Sequence, residues 1–422
     1  MPARVEVGSP WDWSRGVNGP PGMIRLVTQR PWLTRNLKLT SGISLLQDAA
    51  SELLYPIMPI LLTTVLGAPA AVVGAVEGIA EGVAALTKYV AGRLSDKFAK
   101  VPLVGVGYGL AAVGKVLVAA AGAWPVVLLG RCVDRLGKGI RGAPRDALMV
   151  DGIAVEHRGK AFGFHRAADT MGAVIGPLLA LAALQWFDGD IKPVLWVAIV
   201  PAVLSVLLVL ALKEPVPTAP KAAKVAGEGP LPSAFWRVVT VLGVFSLINF
   251  PDALVLLRLH DIGFSVTGVI LAYVGYNLVY SLLSYPAGAV ADKLGPHRVI
   301  GVGMLVFGVA YAGLGLTRSH VLAAVLIGVY GVFTAFTDGV GKAWVSSLLP
   351  NQRQGTGQGV FQGVMGLGVL AAGLWAGFAW GGDGHLPLVI AGAAAGVLAL
   401  GVLLLGRGLG AAPPAAGIST SP

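Results

Sequence analysis

Residues 89–107 read YVAGRLSDKFAKVPLVGVG, and residues 285–303 read YPAGAVADKLGPHRVIGVG. At a constant offset of 196 positions, Tyr89, Ala91, Gly92, Asp96, Lys97, Gly105, Val106 and Gly107 meet Tyr285, Ala287, Gly288, Asp292, Lys293, Gly301, Val302 and Gly303. The same offset brings Gly159, Gly163 and Gly172 onto Gly355, Gly359 and Gly368. Matches that include Tyr, Asp and Lys are hard to obtain from abundant glycine alone. The chain is read as two related halves in tandem.

Composition says what the halves are made of. Hydrophobic residues make up 55% of the 422 positions and charged residues only 12%, with a mean hydropathy of +0.76. Soluble domains carry about 25% charged residues, so a globular surface of this size is excluded. The 60 glycines show no Gly-X-Y period and lie within apolar runs, where small residues let membrane helices approach closely. A single cysteine excludes an intrachain disulfide framework and a thiolate zinc site. The net charge of +10 lies between apolar spans, which points to membrane topology and away from nucleic acid.

A membrane helix needs about 20 apolar residues at about 1.5 Å each. Such runs fall near 39–66, 70–92, 101–121, 124–145, 158–186 and 192–212, and again near 233–258, 264–291, 297–317, 320–348, 355–380 and 386–407. The expectation is an all-α, polytopic membrane protein with twelve transmembrane helices in two pseudo-symmetric six-helix bundles, 39–212 and 233–407. A basic, disordered tail is expected over 1–38, a flexible cytoplasmic linker over 213–232, and a disordered tail over 408–422. No apolar segment with a cleavage site follows the first basic residues, so no removable signal peptide is read. With both termini inside the cell, the tails and inner loops hold 21 Lys and Arg, against Lys192, Arg258 and Arg318 outside. That asymmetry places the protein in the inner or plasma membrane with cytoplasmic termini. Trp124, Trp186, Trp196 and Trp380, near span ends, are expected at the membrane interface.

Gly92-Arg93-Leu94-Ser95-Asp96-Lys97 and its echo at Gly288–Gly295 resemble the loop signature of the major facilitator superfamily. Ala99 replaces the second glycine in the first copy. Arg158-Gly159-Lys160-Ala161-Phe162-Gly163 is similar to the helix entry of that family. Gly172–Pro177 is similar to the Gly-x-x-x-Gly-Pro motif of its proton-coupled exporters (drug, siderophore and metabolite efflux), with Ala180 in place of the last glycine. The resemblance implies gating at Gly92, Asp96, Lys97, Gly288, Asp292, Lys293, Arg158, Gly176 and Pro177. It also implies that spans 1, 4, 7 and 10 line a central cavity. For Gly172, Gly176 and Pro177 the plain alternative is helix packing and a kink.

Ionisable groups at membrane depth cost roughly 2.5–3.5 kcal/mol each on insertion scales and mark function by default. They concentrate in the first half: Asp48, Glu52, Glu77, Glu81, Lys88, Lys115, His165, Arg166, Asp169 and a dense set in span 4. There Arg131, Asp134, Arg135, Lys138, Arg141 and Arg145 form one helical stripe, with Arg135 roughly 16 Å deep. Such a stripe must face acids or water, never lipid. Asp48 and Glu52, spaced i, i+4, share a face at similar depth. Structural ion pairing is one reading of these charges. The other is proton exchange coupled to transport, with Asp48, Glu52, Asp134 and Arg131 as coupling residues. Arg135, Asn249, Tyr276, Asn277 and Gln362 are the candidate substrate-binding residues. Glu77 and Glu81 repel at i, i+4 unless a proton or a cation intervenes. His165 and Asp169 at i, i+4 suit a hydrogen bond better than a metal site, which needs more ligands.

The sequence therefore reads as a secondary transporter and not an enzyme. It is expected to be a monomer in the lipid bilayer that exports a small amphiphilic or anionic organic molecule against inward proton flow, without cofactor or metal. An organic-anion importer and, more remotely, an integral-membrane enzyme are the alternatives. Phosphate-binding Gly-x-x-x-x-Gly-Lys-[Ser/Thr] does not occur, which argues against ATP-driven transport.

Overall fold

The computed structural model describes residues 32–94, 98–149, 152–153, 158–214, 231–349 and 353–409. Among them every regular element is helical. Nine helical segments are long and apolar enough to cross a membrane. Three more complete a set of twelve, and each fails the apolar test for a visible reason. Span 1 is broken by Pro56 and Pro59 into α1 (Arg35–Leu54), a 3-10 turn (Tyr55–Ile57), α2 (Met58–Ile60) and a π turn (Leu61–Val65), and it carries Asp48 and Glu52. Span 4 is α5 (Trp124–Met149), whose charged stripe lowers its hydropathy. Span 7 is split at Phe250–Pro251 into α9 (Ser233–Ser246) and α10 (Asp252–Ile262), because proline removes a backbone donor and forbids a continuous helix.

The remaining first-half spans are α3 (Ala70–Leu94), α4 (Lys100–Ala119), α6 (Arg158–Trp186) and the pair α7 (Ile191–Val197) and α8 (Ile199–Val209). The second half continues with α11 (Val266–Leu294), α12 (Pro296–Leu316), α13 (His320–Ser347), α14 (Gln354–Phe378) and α15 (His385–Leu409). Their ends agree with the sequence-derived spans to within a few residues. The expected linker from 215 to 230, most of both tails, and Asp96 and Lys97 lie outside the described residues.

Span 1 begins where span 6 ends: Arg35 Nη2 donates to Ala211 O at 3.1 Å, and Asn36 Nδ2 to Lys213 O at 2.9 Å. The Glu214 carboxylate accepts from Lys100 and Val101 N–H, both at 2.8 Å, so an acid caps the positive end of α4. This is called the terminal face, where the first described span begins; the opposite side is the far face. Within the first half α1 packs on α6 and α8, and α4 and α3 on α5. Within the second, α12 packs on α13 and α15, and α11 on α13. The halves meet along α3 with α14 and α6 with α11. A side chain at Gly74 would strike the Gly373 carbonyl, so α3 and α14 sit nearly backbone to backbone there. Between apolar helices in lipid such close packing supplies the attraction that water supplies elsewhere.

Several expectations change. Arg258 is not a loop residue; it lies in α10 and is 2% exposed. It donates to the carbonyls of Leu314, Gly315, Thr317 and Asp383 at 2.7–3.0 Å and to the Asp383 carboxylate at 2.9 Å. Five planar donors on an always-charged group can satisfy the ends of several helices at once, so Arg258 clasps the far-face end of the second half. At Asp383 desolvation raises the carboxyl, but the hydrogen bond and charge of Arg258, the His385 N–H and the charge of Arg318 together outweigh it, holding it below its usual range. Trp380 is not at the lipid interface; it is 3% exposed and its Nε1 donates to Asp261 at 3.0 Å. Trp186 and Trp196 are exposed as expected.

Candidate functional site

The span 4 stripe is divided among three neighbours. Arg131 makes a bidentate pair with Glu77 of α3, Nε at 2.9 Å and Nη2 at 2.5 Å. One turn on, Arg135 Nε lies 3.1 Å from Glu81. The i, i+4 acids of α3 thus face the i, i+4 arginines of α5 as two rungs of a ladder, which answers the repulsion between Glu77 and Glu81 with a cation for each. Asp134 takes the buried ammonium of Lys115 at 2.8 Å. Arg141 lies over the Tyr108 ring at 4.4 Å, a cation–π contact. Arg145 reaches Ser44 at 3.1 Å and Asp146 at 2.9 Å. Arg131 and Asp134 themselves are 3.9 Å apart, each with a closer partner elsewhere. Their expected pairing is therefore secondary, because periodicity placed them on one face without saying which neighbour the face meets.

Spans 1 and 4 do come together. Asp48, Ser51, Glu52, Asp134, Arg135, Lys138 and Arg141 line a polar pocket of about 150 Å³, closed from the second half by Asp252 and Tyr273. Glu52 accepts from the Tyr273 hydroxyl at 2.6 Å, a hydrogen bond between the halves. Asp48 has no ion pair or hydrogen bond among the described residues, and Lys138 is exposed to the cavity with no ion pair among them. Gly172 and Gly176 explain how α6 supports this turn of α1. A Cβ on Gly172 would lie 2.6 Å from Leu45 O, and one on Gly176 2.5 Å from Ala49 O, with the Cβ atoms of Asp48 and Glu52 next. The exporter-like motif is thus a close-packing strip directly behind the two acids. His165, next along α6, lies 3.4 Å from Ser41 and 3.7 Å from Asp169.

A larger cavity of about 420 Å³ runs from Asp252 toward the terminal face, where Lys88, Asp338 and Lys342 stand. Asn249, Tyr276 and Gln362, three of the substrate-binding candidates, line it. Asn277 does not; it turns onto its own helix, Nδ2 to Tyr273 O at 3.0 Å. Asp252 is the residue the sequence reasoning missed as a site member. It is the first residue of α10, accepts from Tyr330 at 2.5 Å and Tyr276 at 3.2 Å, and borders both cavities. Its signal was an acid directly after the Phe250–Pro251 break of an apolar span.

On the far face the cleft is closed. Thr64 Oγ1 lies 3.4 Å from His260 Nε2, residues 196 positions apart that meet across the pseudo-two-fold axis. The Tyr55 and Tyr273 rings are 5.5 Å apart just inside it. Toward the terminal face, Lys88 Nζ donates to Gln362 Oε1 at 3.2 Å and Arg166 to Tyr280 at 3.0 Å. Of the gating candidates, Asp292 and Lys293 are exposed at the end of α11. A Cβ at Gly288 would meet open space, so no close helix contact forms there. Arg158 begins α6, and its side chain lies outside the described residues, whereas Pro177 sits inside α6.

Comparisons with known proteins agree with this architecture. The Major Facilitator Superfamily profile matches residues 40–259 and 244–419. An uncharacterised MFS-type transporter of Methanocaldococcus jannaschii is 31% identical over 82% of this chain and 89% of its own length. The multidrug resistance protein MdtL of Klebsiella pneumoniae is 24% identical over 68% of this chain and 73% of its own. The crystal structure of the nucleoside transporter NupG (D323A mutant) superposes with a TM-score of 0.71 at 16% identity, covering 88% of this chain and 99% of that one.

Proposed function

The chain belongs to the Major Facilitator Superfamily and is a secondary transporter of small molecules, and on that premise we propose that it is a proton-coupled exporter of a small amphiphilic or anionic organic molecule. The two halves rock about the central site in alternating access. Both termini lie in the cytoplasm, as the excess of Lys and Arg in the tails and inner loops favours. It works as a monomer in the cell membrane.

One observation carries the coupling. Of the mid-depth acids of the first half, Glu77, Glu81 and Asp134 are held by Arg131, Arg135 and Lys115, whereas Asp48 and Glu52 have no ion pair among the described residues. A carboxylate locked to a buried cation is scaffold, because protonating it strands that cation. Asp48 and Glu52 have no such lock and share a polar pocket. Ionised Glu52 accepts a charge-assisted hydrogen bond from Tyr273 and so ties the halves in the state described here. Protonation weakens that tie and biases the opposite state, which is the differential affinity coupling requires. Asp134 and Arg131 become supports of this pair, holding Arg135 and the pocket wall in place. Asp292 and Lys293 would latch the terminal face when it closes.

Asp48→Asn and Glu52→Gln should each abolish accumulation driven by a proton gradient in proteoliposomes, while the protein stays folded and substrate exchange partly survives. Wild-type coupling in both variants would remove the two acids from the mechanism. Substrate moving in the same direction as the protons would instead make the protein an importer.

A further inference from the structure

The larger cavity differs in kind from the polar pocket beside it. Its walls carry the rings of Phe245, Tyr276, Tyr330, Phe333 and Phe361. Tyr276 and Tyr330 stack at 5.2 Å and 16°, and Tyr330 and Phe333 at 5.5 Å and 24°. Packed on one another and largely buried, these rings give one side of the cavity an aromatic lining, which favours a flat π-system over a saturated one of equal size. The volume of about 420 Å³ lies within the roughly 300–1,000 Å³ of small-molecule sites.

The charges around it are unequal in what they have left to offer. Each acid is engaged: Glu81 faces Arg135 at 3.1 Å, Asp338 takes Lys342 at 2.6 Å and the Tyr280 hydroxyl at 2.9 Å, and Asp252 accepts from two tyrosines. Lys88 is different. Its one described partner is the neutral amide oxygen of Gln362, and an ammonium has three donors. Two N–H groups therefore remain for an anion at the terminal-face end of the cavity. Lys88 stands seven residues beyond Glu81 on α3, so it is about 10 Å nearer the terminal face than Glu81. The aromatic wall lies deeper, beside Asp252.

Resting on the transporter reading above, we infer that this cavity seats a planar aromatic carboxylate, its ring against Tyr276, Tyr330 and Phe333 and its carboxylate on Lys88. An organic cation would have to compete with Arg135, Lys342 and two tyrosine hydroxyls for the acids here, whereas Lys88 has no acid as partner among the described residues. A saturated carboxylate gains the Lys88 contact and loses the stacking surface. The long axis of the ligand then lies along the transport path, anion toward the terminal face.

Calorimetric titration of the purified protein with 2-naphthoate, its neutral amide, and saturated decalin-2-carboxylate tests this without any gradient. Wild type should bind 2-naphthoate at least about tenfold more tightly than either analogue, Lys88→Gln should lose about tenfold for 2-naphthoate alone, and Lys88→Arg should keep most of it. The wild-type ligand series stands by itself if Lys88→Gln fails to fold. Equal binding of the saturated or neutral analogue, unchanged affinity in folded Lys88→Gln, or no binding of 2-naphthoate overturns the inference. None of these results touches proton coupling, which stands or falls with the Asp48 and Glu52 variants.

Discussion

Glu77, Lys115, Arg131, Asp134 and Arg135 of the first half stand 196 positions before Tyr273, Tyr311, Ile327, Tyr330 and Gly331 of the second. Where Lys115 and Asp134 form an ion pair at 2.8 Å, Tyr311 and Tyr330 bring their rings to 5.5 Å. Where Glu77 grips Arg131, Tyr273 instead reaches across the cleft to Glu52. Related backbones have thus filled equivalent positions with charge in one half and, at three of the five, with phenol in the other. Buried ion pairs are rigid in a particular sense: neither member can leave without stranding the other. Tyrosines offer broad apolar faces and a single hydroxyl, which can change partners at modest cost. The first half is accordingly a locked frame around two unlocked acids, and the second is the adaptable wall.

The sharpest way to break this contrast is to neutralise aligned positions. Asp134→Asn should lower stability by about 3–5 kcal/mol, because Lys115 is left buried without its carboxylate. Adding Lys115→Met should recover much of that loss, since a buried pair replaced as a unit is often neutral. Thermal unfolding of the single and double variants in one detergent reads both effects. If the single variant is as stable as wild type, the first half is not locked.

At the aligned position, Tyr330→Phe should cost less, about 1.5 kcal/mol for a hydrogen bond to a charged acceptor, because Tyr276 still donates to Asp252. A loss equal to that of Asp134→Asn would erase the distinction between the halves.

The smallest effect belongs to the Arg258 clasp of the second half. Asp383→Asn should cost under about 1 kcal/mol, since the carboxylate is partly exposed and Arg258 keeps its four carbonyl acceptors. The Asp383 carboxyl is held below its usual range, so its contribution is fully present above the unfolded value of about 3.9. It fades as pH falls through the lower folded value. Wild type and variant should therefore converge in stability at acid pH and differ most near neutrality, as paired melting curves would record.

Much of the site was legible before the structure. The stripe of span 4 and the Asp48–Glu52 face had to meet something polar, and they line one pocket together. The matching i, i+4 spacing of Glu77 and Glu81 against Arg131 and Arg135 is also visible in the sequence, but spacing alone does not say that the two faces meet as a ladder. Asn277 misled because a polar residue on a cavity-lining span can spend its donor on its own helix. Arg258 and Trp380 misled because closeness to a span end does not say whether a side chain turns inward.

Hydropathy, loop charge and the 196-residue echo are properties of local chain, so the sequence alone determined a membrane protein of twelve helices in two related halves. Which acid meets which base depends on how each helix is rotated and on the helix beside it. Periodicity is blind to both. Only the tertiary structure decided that Asp134 belongs to Lys115 and Arg131 to Glu77, leaving Asp48 and Glu52, among the described residues, as mid-depth acids of the first half with no ion pair.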